Sequence, residues 1–293
     1  MARLSERLVE NVPGEFFVDA TCIDCGICRW VAPASFSRAA GNGLSFVRRQ
    51  PDDGESRRRA LMALVACPTS SIGTDPRTDA SEGVAAFPEP LGAGLYFCGF
   101  ASPDSYGAAS WLIRRDAGNV LVDSPRAAAP LLRRFEALGG IRRLFLTHRD
   151  DVADHEKLRA RFGCERILHA RDVGPGTSTI ERKIEGDDPV ALADDLTVIP
   201  VPGHTRGSAA LLYQDAVLFT GDHLWYDLED HRLDASRGVC WYSWPHQIRS
   251  MERLLDFRFE WVLPGHGDPW RAPSAEAMHS ELERLVARMK EAA

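Results

Sequence analysis

Thr147-His148-Arg149-Asp150-Asp151-Val152-Ala153-Asp154-His155 sets two histidines and three aspartates within eight residues. An apolar run, Leu144-Phe145-Leu146, precedes it and reads as a short buried strand. A helical pattern follows from Glu156 to Phe162. Imidazole nitrogens and carboxylate oxygens aimed from a strand end at one point are what a metal site needs. The same residues also suit a polar strand-to-helix turn, with Asp150 or Asp151 capping the helix. The rest of the chain decides between these readings.

Three further signals stand at strand ends. Pro202-Gly203-His204-Thr205-Arg206-Gly207-Ser208 follows the strand-like Val198 to Val201. Phe219-Thr220-Gly221-Asp222-His223 follows a strand opening at Ala216, and Pro264-Gly265-His266-Gly267 follows Trp261 to Leu263. Each puts a histidine or aspartate at the mouth of a strand, beside glycines that let backbone come close. One Pro-Gly-His turn is only a turn. Three such turns in order behind an aspartate/histidine cluster point to a metal centre.

With these turns the chain resembles the metallo-β-lactamase superfamily, in particular its glyoxalase-II-like hydrolases, over about residues 92–274. The resemblance implies an αββα sandwich. It makes His148 the first histidine of the family's H-x-H-x-D-H cluster, His204 a ligand of the first metal and His266 a ligand of the second. Asp222 becomes the carboxylate bridging both. Asp150 stands where the second histidine is expected, either as a carboxylate ligand or as a partner of one. Read with a loop two residues longer, Asp154 and His155 supply the closing pair. Read without a gap, Val152 and Ala153 fall there, and the site is single-metal or nonstandard. The longer loop is preferred, because His266 and the bridge otherwise have no second metal to serve. Mixed histidine and carboxylate ligation without cysteine suits zinc, iron or manganese. Water held by two such ions becomes a hydroxide nucleophile near neutral pH, with Asp222 or Asp154 able to accept a proton.

Four of the seven cysteines form another pattern. Cys22, Cys25 and Cys28 make C-x2-C-x2-C, with Gly26 allowing the close turn, and Cys67-Pro68 follows. Three thiolates on one tight loop and a fourth from elsewhere complete four-cysteine ligation of an iron–sulfur cluster. Zinc sites usually take two separated cysteine pairs instead. At this point the chain resembles a single-cluster [4Fe-4S] ferredoxin over roughly residues 10–76, which implies an α+β ferredoxin-like fold. Ile23, Ile27, Phe36 and Ile72 are the expected apolar shell. Cys98, Cys164 and Cys240 read as packing residues.

The expected organisation is a ferredoxin-like domain over 1–76, a proline-punctuated linker over 77–91, and the metallo-β-lactamase-fold domain over 92–293. The 293 residues, 44% hydrophobic and 26% charged, are enough for two packed cores. The net charge of −7 and the isolated Arg57-Arg58-Arg59 run give no nucleic-acid face. No apolar stretch approaches a membrane span and Met1 to Glu10 has no signal core, so a cytoplasmic protein is expected. Trp241-Tyr242-Ser243-Trp244-Pro245-His246 reads as a packing lid, a substrate-pocket wall or a contact with the cluster part.

The expected function is a metal-dependent hydrolase acting on a small-molecule thioester or other activated acyl group. The resemblance stops short of the C-terminal glutathione-binding part of a full glyoxalase II, which counts against glutathione. The alternative is an oxidoreductase whose diiron centre receives electrons from the cluster, with a redox partner for the cluster. A non-catalytic redox sensor is the third reading, and the retained strand-end ligands oppose it. The oligomeric state is left open by the sequence.

Overall fold

A computed structural model describes residues 2–292. In the N-terminal part, Phe16–Val18 pairs antiparallel with Ile72–Thr74, and Phe36–Arg38 with Ser45–Val47. Between them lie the helices Ile27–Val31 and Gly54–Ala66. The longer helix starts at a capping box, in which the Asp53 carboxylate accepts from the Ser56 amide at 2.7 Å. It ends at Cys67, so the helix delivers that thiol.

The rest of the chain is a two-sheet sandwich. A seven-stranded sheet runs in the order 182–184, 165–169, 143–145, 120–122, 111–113, 95–97 and 89–92. A six-stranded sheet runs 190–193, 196–200, 209–213, 217–221, 261–264 and 270–271. Their facing sides are apolar: Trp111, Val122, Phe145 and Ile167, which the register puts on one face of the first sheet, belong to the same buried cluster as Val198, Leu211 and Phe219. Alternate residues of the second sheet, Ile199, Leu212 and Leu218, point the other way, as the period of two requires. They are covered by the helices Trp244–Leu254 and Ala275–Glu291. Helices Ala129–Ala137 and His155–Phe162 bury Leu131, Phe135 and Leu158 with the first sheet. The sandwich is therefore of the expected α/β layered kind.

The segment 77–91 departs from an irregular linker. It carries a short helix, Ser81–Ala85, and opens the edge strand Glu89–Gly92. Pro90 is tolerated there because an edge strand keeps one side free of ladder bonds. Helix Ser81–Ala85 packs tightly on the long cluster-side helix: a Cβ added at Gly83 would fall 2.6 Å from the Leu61 carbonyl oxygen. Trp30, Phe97 and Trp111 then join the two parts, with ring centroids 4.5 to 6.0 Å apart.

Candidate metal centre

The strand ends bring the functional residues together. Strands Val217–Gly221 and Trp261–Pro264 run parallel, with Gly221 opposite Pro264. Asp222 and His266 therefore leave neighbouring strands side by side. The Gly265 amide donates to the Gly221 carbonyl at 2.9 Å. No side chain fits at residue 265, since a Cβ there would meet Asp151 Oδ2 at 2.7 Å and Asp222 Oδ1 at 2.8 Å. The 147–151 loop and the 202–208 turn approach from the two sheets, joined where the Ala209 amide donates to the Thr147 carbonyl at 2.8 Å.

His148 Nε2 lies 3.7 Å from Asp222 Oδ2, 3.9 Å from Asp151 Oδ2 and 4.0 Å from Asp150 Oδ2. His204 Nε2 lies 3.7 Å from Asp150 Oδ2 and 3.8 Å from Asp222 Oδ2. Two donors about 2.1 Å from one ion at a tetrahedral angle are about 3.4 Å apart, so this spacing fits ligands around a cation. His148, Asp150 and His204 form one such group, and His148, Asp151 and Asp222 another. Asp222 accepts from the His266 Nδ1–H at 2.8 Å and from its amide at 3.1 Å. Buried His148 Nε2, His204 Nε2 and both Asp151 oxygens have no hydrogen-bond partner among the described residues. Orphaned polar atoms converging on one point are what an absent metal ion leaves.

The tautomers follow from the other ring nitrogens. His148 Nδ1 is 3.0 Å from Thr147 Oγ1, whose hydroxyl donates to the Asp123 carboxylate at 3.0 Å. The His148 Nδ1–H thus points at Thr147, leaving Nε2 as a lone pair. His204 Nδ1 donates to the Val239 carbonyl, with the same result. Buried Asp172 fixes the loops that carry these rings. It accepts from the Gly207 amide at 2.7 Å, the Arg149 amide at 3.1 Å and the Thr205 hydroxyl.

The charges are crowded. Burial pushes the Asp123 carboxyl up to about 8, and Asp222 adds to this. Burial and the Asp222 charge also raise Asp151 well above the usual carboxylate range. Burial would raise Asp222 too, but His266, His148 and His204 outweigh it and hold it low. Burial holds His148 down at about 4. His266 goes the other way, to about 10, because Asp222 overcomes the effect of burial. Burial and one another's charge keep Asp123 and Asp151 from ionising beside the Asp222–His266 pair, and a divalent cation would favour their charged forms.

The expected register needs correction. Asp154 and His155 are not in this group. Asp154 precedes the helix His155–Phe162, and its carboxylate accepts from the Ala127 amide at 2.8 Å and pairs with Lys157 at 2.7 Å. It holds a loop and cannot serve as the proton acceptor. His155 is buried, with Nε2 3.1 Å from the Gly176 carbonyl and Nδ1 3.1 Å from Arg166 Nη1. Asp151, which the sequence offers only as a helix cap, stands beside Asp222 and His148. His169 is a packed histidine, bonded to Gly186 O and the Arg171 amide. His223 is buried and does not line the pocket. Trp241 is a pocket wall, while Trp244 is buried in the core.

Cys22, Cys25, Cys28 and Cys67 face one small cavity, closed by Val18, Ile27, Pro68 and Ile72. All four thiols are free. Gly26, at φ +85°, makes the turn between them. The Ser71 amide donates to Cys67 Sγ at 3.3 Å. Burial pushes Cys28 up to about 12 and Cys25 still higher, so these thiols would ionise only on a positively charged partner. Four convergent thiols in an apolar shell fit an iron–sulfur cluster. Phe36, expected in that shell, is buried but does not line the cavity.

The two sites share a wall. A cavity of about 720 Å³ holds Asp150, Asp151, His204, Asp222 and His266 on one side. Ile23, Asp24 and Cys25 of the cysteine loop line the other. Asp24 is braced by Arg29 at 2.6 Å and Arg38 at 2.7 Å, which fixes that loop over the pocket.

Comparison with known proteins agrees with both parts. The family described as "4Fe-4S single cluster domain of Ferredoxin I" matches residues 18–74. A hydroxyacylglutathione hydrolase of Acidiphilium cryptum is 30% identical over 189 residues, 61% of this chain and 76% of that protein. Another, from Stenotrophomonas maltophilia, is 34% identical over 116 residues, 39% of this chain and 45% of that protein. This chain thus spans about half the length of the latter. The DIM-1 metallo-β-lactamase superposes with a TM-score of 0.50 at 17% identity, covering 67% of this chain and 95% of that one. The chain therefore belongs to the metallo-β-lactamase superfamily of metal-dependent hydrolases, among the relatives of hydroxyacylglutathione hydrolase, and carries a 4Fe-4S single-cluster ferredoxin domain ahead of that fold.

Proposed function

We propose that the chain hydrolyses a thioester or other activated acyl substrate at a dinuclear metal centre held by His148, Asp150, Asp151, His204, Asp222 and His266. The observation that carries this reading is the set of unpartnered donors, His148 Nε2, His204 Nε2 and the Asp151 carboxylate, of which His204 and Asp151 line the 720 Å³ cavity and His148 sits within 4.0 Å of Asp150, Asp151 and Asp222. Zinc, iron or manganese suits three imidazoles and three carboxylates. Bound there, the ions would supply Lewis acidity and an activated water. The chain's own residues do the rest. Thr147 and Val239 keep the Nε2 lone pairs of His148 and His204 available. Asp222 positions His266 through two hydrogen bonds. Trp225, Val239 and Trp241 give the cavity apolar wall against which an acyl group can shed water.

The domain division follows the same lines: a ferredoxin-like domain over 1–76 holding a [4Fe-4S] cluster on Cys22, Cys25, Cys28 and Cys67, and a hydrolase domain over 92–293. Segment 77–91 joins them. A redox partner would exchange electrons with the cluster. No helix among the described residues is long and apolar enough to cross a membrane.

One observation favours a second reading, a diiron oxidoreductase fed by the cluster. Cys25 lines both the cysteine cage and the metal cavity. Metal analysis with electron paramagnetic resonance on anaerobically purified protein separates the two. About four irons with two zincs, and thioester hydrolysis lost in His148→Ala, supports the hydrolase; about six irons with a coupled diiron signal and no hydrolysis overturns it.

A further inference from the structure

A second cavity, of about 380 Å³, lies across the Trp241–Tyr242 loop from the metal pocket. Arg171, Arg206, Arg249, Arg253, Tyr242 and His246 line it. Four guanidinium groups share this one cavity in a chain of net charge −7. Asp187 answers two of them: Arg171 grips its carboxylate with both terminal nitrogens, and Arg253 donates to its carbonyl. Arg253 also comes within 3.8 Å of Asp188. Arg206 and Arg249 are exposed and have no carboxylate or hydrogen-bond partner among the described residues. His246 spends Nδ1 on Ser243 Oγ at 2.8 Å, so its Nε2 is free. The Tyr242 ring stands 5.1 Å from the imidazole. The Ser250 hydroxyl is used on the Pro202 carbonyl. The cavity thus offers two open guanidinium forks, an imidazole and a phenol, against one carboxylate already engaged.

That donor set exceeds what the two oxygens of a carboxylate accept. It suits the several oxygens of a phosphate or pyrophosphate, which guanidinium forks bind pairwise. The position ties it to the metal pocket. Arg206 follows His204 by two residues, and Tyr242 follows the pocket-lining Trp241. The amides of Trp241 and Tyr242 both donate to the His204 carbonyl, at 2.9 and 3.0 Å. Trp241 and Tyr242 are 61% and 43% exposed, an aromatic ridge between the two cavities.

We propose that this arginine cavity binds the phosphate or pyrophosphate group of the substrate, whose acyl end crosses the Trp241–Tyr242 ridge into the metal pocket. The substrate class is then a thioester of a phosphorylated thiol. The inference rests on the hydrolase reading for its substrate and on the arginines for its anion.

The test uses the full metal-loaded chain and its Arg206→Gln/Arg249→Gln variant, both changes being at exposed positions. Titration with inorganic pyrophosphate should show binding that weakens about tenfold or more in the variant. Equal affinity in both proteins would place the anion elsewhere and overturn the proposal. In kinetics, KM for an acyl thioester of a phosphorylated thiol should rise in the variant at least about tenfold more than KM for an unphosphorylated short-chain thioester. An equal change for the two thioesters would make the anion a free ligand and also overturn it. If neither thioester is hydrolysed by the unchanged protein, the hydrolase reading fails. Pyrophosphate titration then still decides whether the arginines hold an anion.

Discussion

Gly107 lies so close to Cys25 that a Cβ at residue 107 would stand 2.6 Å from the Cys25 Cβ and 3.0 Å from its Sγ. The next residue back, Tyr106, turns its carbonyl to His266 Nε2 at 3.3 Å. Two adjacent residues thus touch a cysteine of the proposed cluster and a histidine of the proposed metal centre. A third link runs through Trp111, whose indole N–H donates to the Pro264 carbonyl at 3.0 Å while its ring stacks near Trp30. Whatever the cluster does, its loop and the Pro264–His266 turn are mechanically one unit.

Gly107→Ala should therefore damage the cluster first. The glycine sits at φ +86°, and the added methyl has the Cys25 side chain and the Pro68 ring in its way. Iron and acid-labile sulfide per chain should fall in this variant while the C-terminal metals are retained. Full cluster loading would show that the Cys25 loop moves freely against the metal domain.

Asp172→Ala removes the acceptor shared by the Gly207 amide, the Arg149 amide and the Thr205 hydroxyl. The His204 turn and the Asp150 loop would lose their common anchor. Metal affinity should drop about 10- to 100-fold, as for other residues that orient ligands from behind. Competition with a metallochromic chelator measures it.

How much of this was legible beforehand differs by residue. His148, His204, Asp222 and His266 were readable because glycine and histidine at a strand mouth leave few other uses. Asp151 was not, because loop register depends on the path of the chain. Asp154 and His155 looked like ligands since a helix-start carboxylate and a packed histidine have the same composition as a metal pair. The sandwich was legible from its apolar runs, but three-residue strands such as Phe16–Val18 and Phe36–Arg38 are too short to show a period. The helix Ser81–Ala85 is equally short, and prolines masked the edge strand beside it.

His155→Leu should act on stability, not on metal. The imidazole bridges Arg166 and the Gly176 carbonyl, and its loss leaves a buried guanidinium nitrogen without its acceptor. A cost of about 1–3 kcal/mol in urea unfolding is expected, with metal content unchanged. Loss of one metal ion at unchanged stability would be the opposite result.

Glu181 gives the fold an acid limit. Burial would raise its carboxyl, but Arg166 and Arg159 hold it at about 2, below its ordinary 4.5. A lowered carboxyl contributes stability in full above its unfolded value, and this is lost as pH falls from about 4.5 toward 2. With the side chain 29% exposed, the screened contribution is about 1–2 kcal/mol. In Glu181→Gln, the drop in unfolding free energy between pH 6 and pH 3 should shrink by more than half of that amount. An unchanged drop would mean the ion pair adds nothing.

The central claim is that Asp151, and not the Asp154–His155 pair, completes the metal centre. Metal content of anaerobically purified Asp151→Asn and Asp154→Asn proteins tests it directly. The account predicts that Asp151→Asn loses one of about two C-terminal metal ions per chain while Asp154→Asn keeps both. Loss in Asp154→Asn with full occupancy in Asp151→Asn would contradict it.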